Sequence, residues 1–265
     1  MEVLGYCAAL IMGLSLGLIG GGGSILTVPI LVYLFAQDPL VATTGSLFVV
    51  GTTALVGATS SALKKMIDFK TGVLFALPSF VGVFVARHFL LPYLPDIIYT
   101  QHEIVLTKAL LVMGAFAILM VFASRAMIRS GDAFVTQVEE KPRGFFQIGQ
   151  SGFLVGITTG FIGAGGGFLI IPALVVLLKL PMKRAASTSL AIIAANSLFG
   201  FAISTNLQPL DWKVLLIITG IGAVGIFIGQ KLSVSINEKV LKKSFGYFVL
   251  LVGSLILIDQ FIKLH

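Results

Sequence analysis

Residues 17–29, GLIGGGGSILTVP, place four consecutive glycines near the middle of an apolar run that extends from residue 3 to residue 36. A helix needs about 20 residues to cross the roughly 30 Å of a bilayer core, so this run is too long for one crossing. Glycine lacks a Cβ and adopts positive φ angles at little cost, which allows a sharp turn. The run is therefore expected to break at these glycines.

The same pattern returns 143 residues later in the chain. Residues 160–172, GFIGAGGGFLIIP, interrupt a second long apolar run at 145–180. The same offset matches Ala42 with Ala185, Ser46 with Ser189, Gly57 with Gly200, Asp68-Phe-Lys70 with Asp211-Trp-Lys213, and Gly82-Val-Phe84 with Gly225-Ile-Phe227. A register that stays constant from residue 17 to residue 84 and includes proline, aspartate and lysine indicates an internal duplication.

The composition is that of a protein embedded in a lipid bilayer. Hydrophobic residues make up 57% of the 265 residues, charged residues only 11%, and the mean hydropathy is +1.05. Soluble domains carry about 25% charged residues, so a soluble enzyme is excluded. The net charge of +7 comes from Lys and Arg scattered between apolar runs. They form no basic stripe and indicate membrane topology, not a nucleic-acid partner.

Six further apolar runs have the length of one membrane-spanning helix: 41–63, 71–95, 104–123, 184–206, 214–232 and 243–262. The only long polar interval, 124–144, divides the chain into a first membrane repeat, 1–123, and a second membrane repeat, 145–265. The first apolar segment has no Lys or Arg ahead of it, which is unlike a secretory signal, so we expect it to remain in the mature protein.

Positive charges decide how the repeats are oriented, because Lys and Arg collect on the cytoplasmic side. If each long run crossed once, eight spans and parallel repeats would leave nine Lys and Arg on each face. If each long run folds back, as two crossings or as a re-entrant hairpin, the split becomes fourteen to four. The second arrangement has the clear bias, and it inverts the second repeat relative to the first.

We therefore predict an all-helical, polytopic membrane protein with two inverted repeats. Each repeat is a glycine-broken helical hairpin followed by three transmembrane helices, which gives eight to ten membrane segments. The expected location is the plasma membrane, with the linker 124–144 in the cytoplasm and both termini outside.

Two copies of a longer motif carry a resemblance to a known family. Each G-x-I-G-x-G-G-[GS]-x-L-x-x-P pattern is followed by A-x-[TS]-x-S-L, at 42–47 and at 185–190. Over nearly its whole length the chain resembles the sulfite exporter TauE/SafE family of membrane permeases. The resemblance implies a multi-pass protein that moves sulfite, organosulfonates or related sulfur oxyanions. Family members are usually assigned about eight spans, and the folded-back interpretation departs from that count.

The two glycine clusters are the first candidate for a substrate site. Non-helical backbone at membrane depth occurs only inside protein or beside a watery cavity. A short helix begins after each cluster, and its unpaired N–H groups and dipole favour an anion. Inverted repeats would bring both turns together near the midplane. The candidate residues are Gly20, Gly22, Gly23, Ser24, Gly163, Gly165, Gly166 and Gly167. The alternative is that these glycines only let helices pack closely.

Hydroxyl and amide side chains are the second candidate. Thr44 and Ser46 match Ser187 and Ser189 near the start of the next helix in each repeat. Hydroxyl groups donate hydrogen bonds to oxyanions without a buried cation, although helix capping explains the same residues. Asn196 lies inside an apolar run, where its amide must pair either with a ligand or with a neighbouring helix.

The remaining polar residues are given structural roles. Arg87 and His88 lie near the outer end of run 71–95 and are expected to extend toward the membrane surface. The alternative is that they attract anions at the outer mouth. Asp68 and Asp211 are expected to cap the helices that follow them. Cys7 is the only cysteine, which excludes a disulfide framework and a cysteine metal site, and we expect it to be a packing residue.

These features favour a permease for a small sulfur-containing oxyanion that works by alternating access. The alternatives are a passive anion channel, or a permease of the same fold for an unrelated small anion. The chain has no H-E-x-x-H, G-x-S-x-G or Walker motif, so we expect no catalytic residue, metal or organic cofactor. The expected partners are the anion and the lipid bilayer. The sequence leaves open which anion moves and in which direction, whether H⁺ or Na⁺ is coupled, and whether homo-oligomers form.

Overall fold

The computed structural model describes residues 2–101, 104–133, 145–163, 166–177, 180–204, 210–233 and 238–264. The first repeat consists of α1 (Glu2–Ile19), α2 (Gly22–Leu34), α3 (Pro39–Leu63), α4 (Phe69–Tyr93), the strands β1 (Ile97–Gln101) and β2 (Ile104–Thr107), and α5 (Lys108–Ala133). The second repeat consists of α6 (Phe145–Ile162), α7 (167–177), α8 (Met182–Ala202), α9 (Trp212–Leu232) and α10 (Glu238–Leu264).

The duplication extends to irregularities of the backbone. α2 ends in a π-helical turn at Ile30–Leu34, and α7 ends in a π-helical turn at Ala173–Leu177, which is the same position at the offset of 143. A π-helical turn is rare and is found most often at functional sites. Its presence at matching positions shows that the two repeats share a three-dimensional structure as well as a sequence pattern.

The predicted capping role of two aspartates is confirmed. The Asp68 carboxylate accepts a hydrogen bond from the Thr71 backbone N–H at 3.0 Å and caps α4. The Asp211 carboxylate accepts one from Val214 at 3.1 Å and caps α9. Each cap satisfies a backbone donor that the first helical turn leaves unpaired.

The first long apolar run folds back on itself. The chain turns at Gly20, whose φ of +86° is in the left-handed region. After the turn, Gly23 lies against the backbone of Met12, and a Cβ on Gly5 would lie 2.5 Å from the Phe35 ring. α2 therefore returns along α1 to the end of the bundle where α1 begins.

The second long run folds back in the same way. Gly163 has a φ of +76° and Gly166 a φ of +64°. Gly166 lies directly against Thr159 of the preceding helix. The hairpins predicted from the charge distribution are thus present in both repeats.

Contacts between helices of different repeats determine the relative direction of the repeats. α3 packs against α8 with Gly51 beside Leu198 and Gly57 beside Leu190. The residue numbers run in opposite directions, so these two helices are antiparallel. α5 and α10 are also antiparallel. Parallel repeats would have made both pairs parallel, because α8 is the counterpart of α3 and α10 the counterpart of α5.

The two other helix pairs agree with this result. Gly13 of α1 lies beside Gly222 of α9, and Gly17 lies beside Ile226, so α1 and α9 run in the same direction. α4 and α6 are likewise parallel. All four pairs fit inverted repeats. We call the end of the bundle where α1 begins and α10 ends the terminal face, and the end where α5 ends and α6 begins the linker face.

The lengths and surfaces of the helices are those of a membrane bundle. Among the described residues, four helices are long and apolar enough to cross a bilayer: Pro39–Leu63, Phe69–Tyr93, Lys183–Ala202 and Trp212–Leu232. Shorter apolar helices, including Val3–Ile19 and Gly22–Leu34, pack between and beside them. Large apolar side chains such as Leu77, Val81, Leu216, Val224 and Leu251 are exposed. Such an apolar exterior is suited to lipid.

The structure differs from the sequence analysis at two boundaries. The fourth apolar run was expected to be helical from residue 104, but residues 104–107 form β2, which pairs with β1 in a hairpin, and α5 begins at Lys108. α5 then continues to Ala133, which lies within the interval expected to be linker. Residues 134–144 of that interval lie outside the described residues, and the cytoplasmic location of the linker stays a prediction.

Cysteine labelling tests which face is cytoplasmic. In a Cys7→Ser background, cysteines at Gln137 and at Lys242 should both be protected from an impermeant thiol reagent in intact cells, because both belong to the face rich in Lys and Arg. A cysteine at Thr100 should react, because it belongs to the opposite face. The measurement is the labelled fraction before and after the cells are permeabilised. Reaction at Lys242 with protection at Gln137 would contradict the inverted orientation.

Candidate functional site

The two glycine turns meet inside the bundle. A Cβ on Gly167 would lie 2.6 Å from the Gly21 carbonyl oxygen and 2.8 Å from the Gly21 Cα, and a Cβ on Gly21 would overlap the Gly167 carbonyl. Backbones can approach this closely only where both residues lack side chains. The glycine turn of the first repeat therefore touches the first residue of α7 in the second repeat.

Each turn also packs against the start of a helix from the opposite repeat. A Cβ on Gly20 would lie 2.5 Å from the Ala186 Cα, and a Cβ on Gly163 would overlap the backbone of Thr43. Gly20 matches Gly163, and Ala186 matches Thr43, at the offset of 143. The two contacts are thus the same contact, repeated by the pseudo-two-fold symmetry.

Ser46 and Ser189 fasten the turns at these places. Ser189 Oγ donates to the Gly20 carbonyl oxygen at 2.5 Å, and Ser46 Oγ donates to the Gly163 carbonyl oxygen. Each hydroxyl also lies within hydrogen-bonding distance of the carbonyl three residues earlier on its own helix, at 2.9 Å for Ser46 and 2.8 Å for Ser189. Both side chains are fully buried. In this conformation the two hydroxyls hold the turns of the opposite repeat.

The remaining candidates of the first cluster are buried beside the crossing. Gly22, Gly23 and Ser24 form the start of α2, and all three are buried. Ser24 Oγ donates to the Gly21 carbonyl at 2.8 Å. This local bond, like those of Ser46 and Ser189, shapes the turn itself.

The candidates of the second cluster surround the start of α7. Gly166 adopts a left-handed conformation at the N-cap, and its carbonyl oxygen accepts hydrogen bonds from the N–H groups of Leu169 at 3.0 Å and Ile170 at 3.1 Å. Gly167 is the first residue of the helix. Gly165 lies outside the described residues.

Asn196 forms an interhelical hydrogen bond. Its Nδ2 donates to Ser79 Oγ at 2.6 Å and joins α8 to α4, and the side chain is fully buried. Of the two roles that the sequence left open, the structure shows the interhelical one. Asn196 Oδ1 nevertheless has no hydrogen-bond partner, although it is buried.

The corresponding place in the other half is less completely paired. Thr53 matches Asn196 at the offset of 143, and Gly222 matches Ser79. A Cβ on Gly222 would lie 3.2 Å from Thr53 Oγ1, so the residues meet, but glycine offers no side-chain partner. Thr53 Oγ1 is buried and unpartnered. Unpaired buried hydroxyls are costly unless water or a ligand reaches them.

Arg87 is buried inside the bundle. It was expected to extend to the membrane surface, but it is only 8% exposed. One terminal nitrogen, Nη1, donates to Thr44 Oγ1 at 3.0 Å, and the other, Nη2, donates to the Thr43 carbonyl oxygen at 3.3 Å. The neighbouring His88 is exposed and stacks on Phe84. Arg87 points inward because the start of α3 offers acceptors that the membrane surface would otherwise supply.

Arg87 and Thr44 border a cavity of about 290 Å³ at the terminal face. Its walls come from the start of α3, the end of α4, the start of α5 and the ends of α8 and α9 that lie at this face. The polar lining residues are Thr43, Thr44, Arg87, Asp96, Lys108 and Ser204. Because Thr43 also contacts Gly163, the cavity adjoins the second glycine turn.

The linker face has a different residue at the equivalent position. Gln230 matches Arg87 at the offset of 143. Gln230 Nε2 donates to the Gly57 carbonyl oxygen at 2.9 Å and to Ser61 Oγ at 3.2 Å, and so ties α9 to α3. Ser187, the counterpart of Thr44, is buried. The arginine could have been found from the sequence by asking where the two repeats differ in charge.

The described residues offer little to a metal ion. No group of three or more His, Cys, Asp or Glu side chains in this part of the chain is arranged to hold one. Cys7, which was expected to pack in the interior, is exposed on α1. The candidate site is therefore built from glycine backbone, hydroxyls, one amide and the cavity that contains Arg87.

Comparisons with known proteins agree with this architecture. The family model described as "Sulfite exporter TauE/SafE" matches residues 6–256. A protein of Xylella fastidiosa strain Temecula1, named "Probable membrane transporter protein", is 30% identical over 92% of this chain and 90% of its own length. No solved structure matches the chain.

More distant relatives carry similar names. "Probable membrane transporter protein YunE" of Bacillus subtilis strain 168 is 26% identical over 91% of this chain and 92% of its own length. "Probable membrane transporter protein MJ0441" of Methanocaldococcus jannaschii is 25% identical over 88% of this chain and 85% of its own length. The family match, over residues 6–256, includes both repeats and both glycine turns.

Replacing the two fastening serines should destabilise the bundle. Ser46→Ala and Ser189→Ala each remove a buried hydrogen bond between repeats, which in membrane proteins contributes roughly 0.5–2 kcal/mol. Ser233→Ala is a matched control, because the Ser233 hydroxyl donates only to the Gln230 carbonyl three residues earlier. Thermal unfolding of the purified proteins in one detergent measures the effect. Melting temperatures of Ser46→Ala and Ser189→Ala equal to that of Ser233→Ala would show that the cross-repeat bonds contribute nothing.

Proposed function

The chain belongs to the sulfite exporter TauE/SafE family, and from that premise we propose that it is a permease that moves a small sulfur-containing oxyanion across the plasma membrane by alternating access. Family membership and the fold make the protein a multi-pass membrane transporter. The class of anion and the mechanism are the proposed part. The anion would bind where the glycine turns cross, among the buried hydroxyl and amide groups.

The contact between Gly21 and Gly167 is the observation that carries the proposal. It places backbone against backbone inside the bundle, next to a cavity at the terminal face that adjoins the second turn. A ligand in that cavity would meet the crossing before it could continue toward the linker face. Broken helices that meet between inverted repeats are how many secondary transporters build a substrate site.

Inverted symmetry supplies the second state that alternating access requires. The two repeats have the same helices in opposite orientations, so the conformation of each repeat can be adopted by the other. Exchanging the two conformations would close the cavity at the terminal face and open its counterpart at the linker face. The fastening bonds of Ser46 and Ser189 occur in both halves, so they can persist while the helices around them rearrange.

The unpaired polar groups buried inside the bundle fit an oxyanion. The hydroxyl of Thr53 is buried without a partner, and the hydroxyl of Ser197, next to Asn196, is also buried without one. Hydroxyl groups donate hydrogen bonds to oxygen atoms of an anion and require no counter-charge in the membrane interior. Sulfite and sulfonates carry several such oxygens on one small sulfur centre, which suits a small site beside the touching backbones.

A passive anion channel is the second candidate. A channel in its conducting state needs a continuous path, whereas the contact between the turns interrupts it. Uptake of sulfite into proteoliposomes under an imposed H⁺ or Na⁺ gradient separates the two functions. Accumulation above the external concentration supports a coupled permease, and equilibration that ignores the ion gradient supports a channel.

A single methyl group at the crossing should abolish transport. Gly21→Ala and Gly167→Ala each place a Cβ in the space that the other turn occupies, so the turns cannot meet as they do here. We expect sulfite flux in proteoliposomes to fall to background, as measured on the fraction of each variant that remains monodisperse. The same flux assay is run with thiosulfate, sulfate, sulfoacetate and taurine as well as sulfite.

Two glycines elsewhere in the membrane helices provide controls. A Cβ on Gly114 or on Gly220 would meet nothing within 4 Å, so Gly114→Ala and Gly220→Ala should keep flux near the wild-type value. Wild-type flux in Gly21→Ala and Gly167→Ala, at expression matched to these controls, would show that the crossing is not part of the transport path.

A further inference from the structure

We propose that the cavity at the terminal face is an anion-binding site in which the Arg87 guanidinium is the principal ligand and Lys108 and Thr44 assist it. This inference rests on the proposed function, because it assigns a recognition site to the oxyanion that the permease moves. It adds a site beside the glycine crossing that uses formal positive charge.

The Arg87 guanidinium is only partly hydrogen-bonded. A guanidinium has five N–H donors. Among the described residues its two hydrogen-bond partners, Thr44 Oγ1 and the Thr43 carbonyl, are neutral. Nε is buried and has no partner. An arginine that is 8% exposed without a counter-charge is costly, and a bound anion would supply both the missing charge and acceptors for the remaining donors.

The lining of the cavity has a net positive charge. Lys108 and Arg87 line the same space, with the hydroxyls of Thr44 and Ser204, while Asp96 is exposed at its edge. Two cations and one carboxylate leave the lining with an excess of one positive charge. The planar fork of the Arg87 guanidinium can bind two oxygens of one anion at once. The Lys108 ammonium can bind a third oxygen of the same anion. This arrangement suits a sulfite or sulfonate head group.

The size of the cavity suits a small anion. A volume of about 290 Å³ is near the lower end of ligand pockets, which range from about 300 to 1,000 Å³. It is enough for a small anion with part of its hydration shell, since a water molecule occupies about 30 Å³. Large organic anions would not fit without displacing the wall.

Within the described part of the linker face, Arg87 has no arginine as its equivalent. Gln230 stands in place of Arg87, and it bonds to Gly57 and Ser61 of its own face. Arg87→Gln therefore introduces at the terminal face the residue that the fold already accommodates at the symmetric position. This makes it a mild substitution for folding and a severe one for an anion site.

Binding measurements on the purified full-length protein test the site, with sulfite, methanesulfonate, phosphate and chloride as probes. We expect sulfite and methanesulfonate to bind the wild type, Arg87→Gln to weaken them about tenfold or more, and Arg87→Lys to fall between, because lysine keeps the charge but loses the fork. Arg184→Gln is the matched control, because Arg184 is exposed at the linker face. Unchanged affinity in Arg87→Gln would overturn the proposal, and chloride binding as tight as sulfite would overturn the oxyanion assignment.

A second measurement judges the site without a substrate. In a Cys7→Ser background, a cysteine at Ser204 should react faster with an anionic methanethiosulfonate than with a cationic one, and Arg87→Gln should lower that rate ratio roughly tenfold. An unchanged ratio would overturn the site. A wild type that transports none of the anions but keeps the Arg87-dependent ratio would contradict the proposed function alone. Normal sulfite flux in Arg87→Gln with an unchanged ratio would contradict only this inference.

Discussion

The contact between the backbones of Gly21 and Gly167 is the constraint on which the rest of the structure depends. It requires two residues without side chains at the same point, and it fixes how deeply each hairpin enters the opposite repeat. Because the hairpins reach past one another, each turn meets the start of a helix from the other half. Ser46 and Ser189 can then donate hydrogen bonds across the repeat boundary. The packing of α3 against α8 follows from the same interlock.

The symmetry is broken where charge and polarity differ between the halves. Arg87 and Gln230 occupy equivalent positions, but among the described residues only Arg87 borders a cavity with a second cation, Lys108. Asn196 has Ser79 as a partner, whereas Thr53 meets Gly222 and remains unpaired. The duplicated framework thus builds two similar halves, and the positions at which the halves differ give the two faces distinct chemistry.

The fold could be predicted largely from the sequence because its strongest signals are local or periodic. The offset of 143 and the glycine clusters indicated the repeats, and the distribution of Lys and Arg indicated that the long runs fold back. The details that failed depend on tertiary contacts. Arg87 turns inward because α3 offers acceptors at Thr43 and Thr44, and no pattern along α4 reveals them. The hairpin of β1 and β2 replaces the expected start of α5 for a similarly non-local reason, since strand pairing decides it.

The candidate site was predicted in part. Of the two glycines that touch, the sequence named Gly167 as a candidate and missed Gly21, although it named the serines beside them. It could not show that the serine hydroxyls are occupied by carbonyl oxygens of the opposite turn. It placed Asn196 among two alternatives, and the partner at Ser79 was out of reach because the two residues belong to different repeats.

Distances across the two faces test most directly whether the inverted repeats exchange conformations. Spin labels at Val41 and Phe89 report on the terminal face, and labels at the equivalent positions, Arg184 and Leu232, report on the linker face. Double electron–electron resonance on each pair, with and without saturating sulfite in a Cys7→Ser background, gives the two changes. Alternating access predicts that one pair moves apart as the other moves together. If sulfite leaves both distances unchanged, or shifts both in the same direction, the account is wrong.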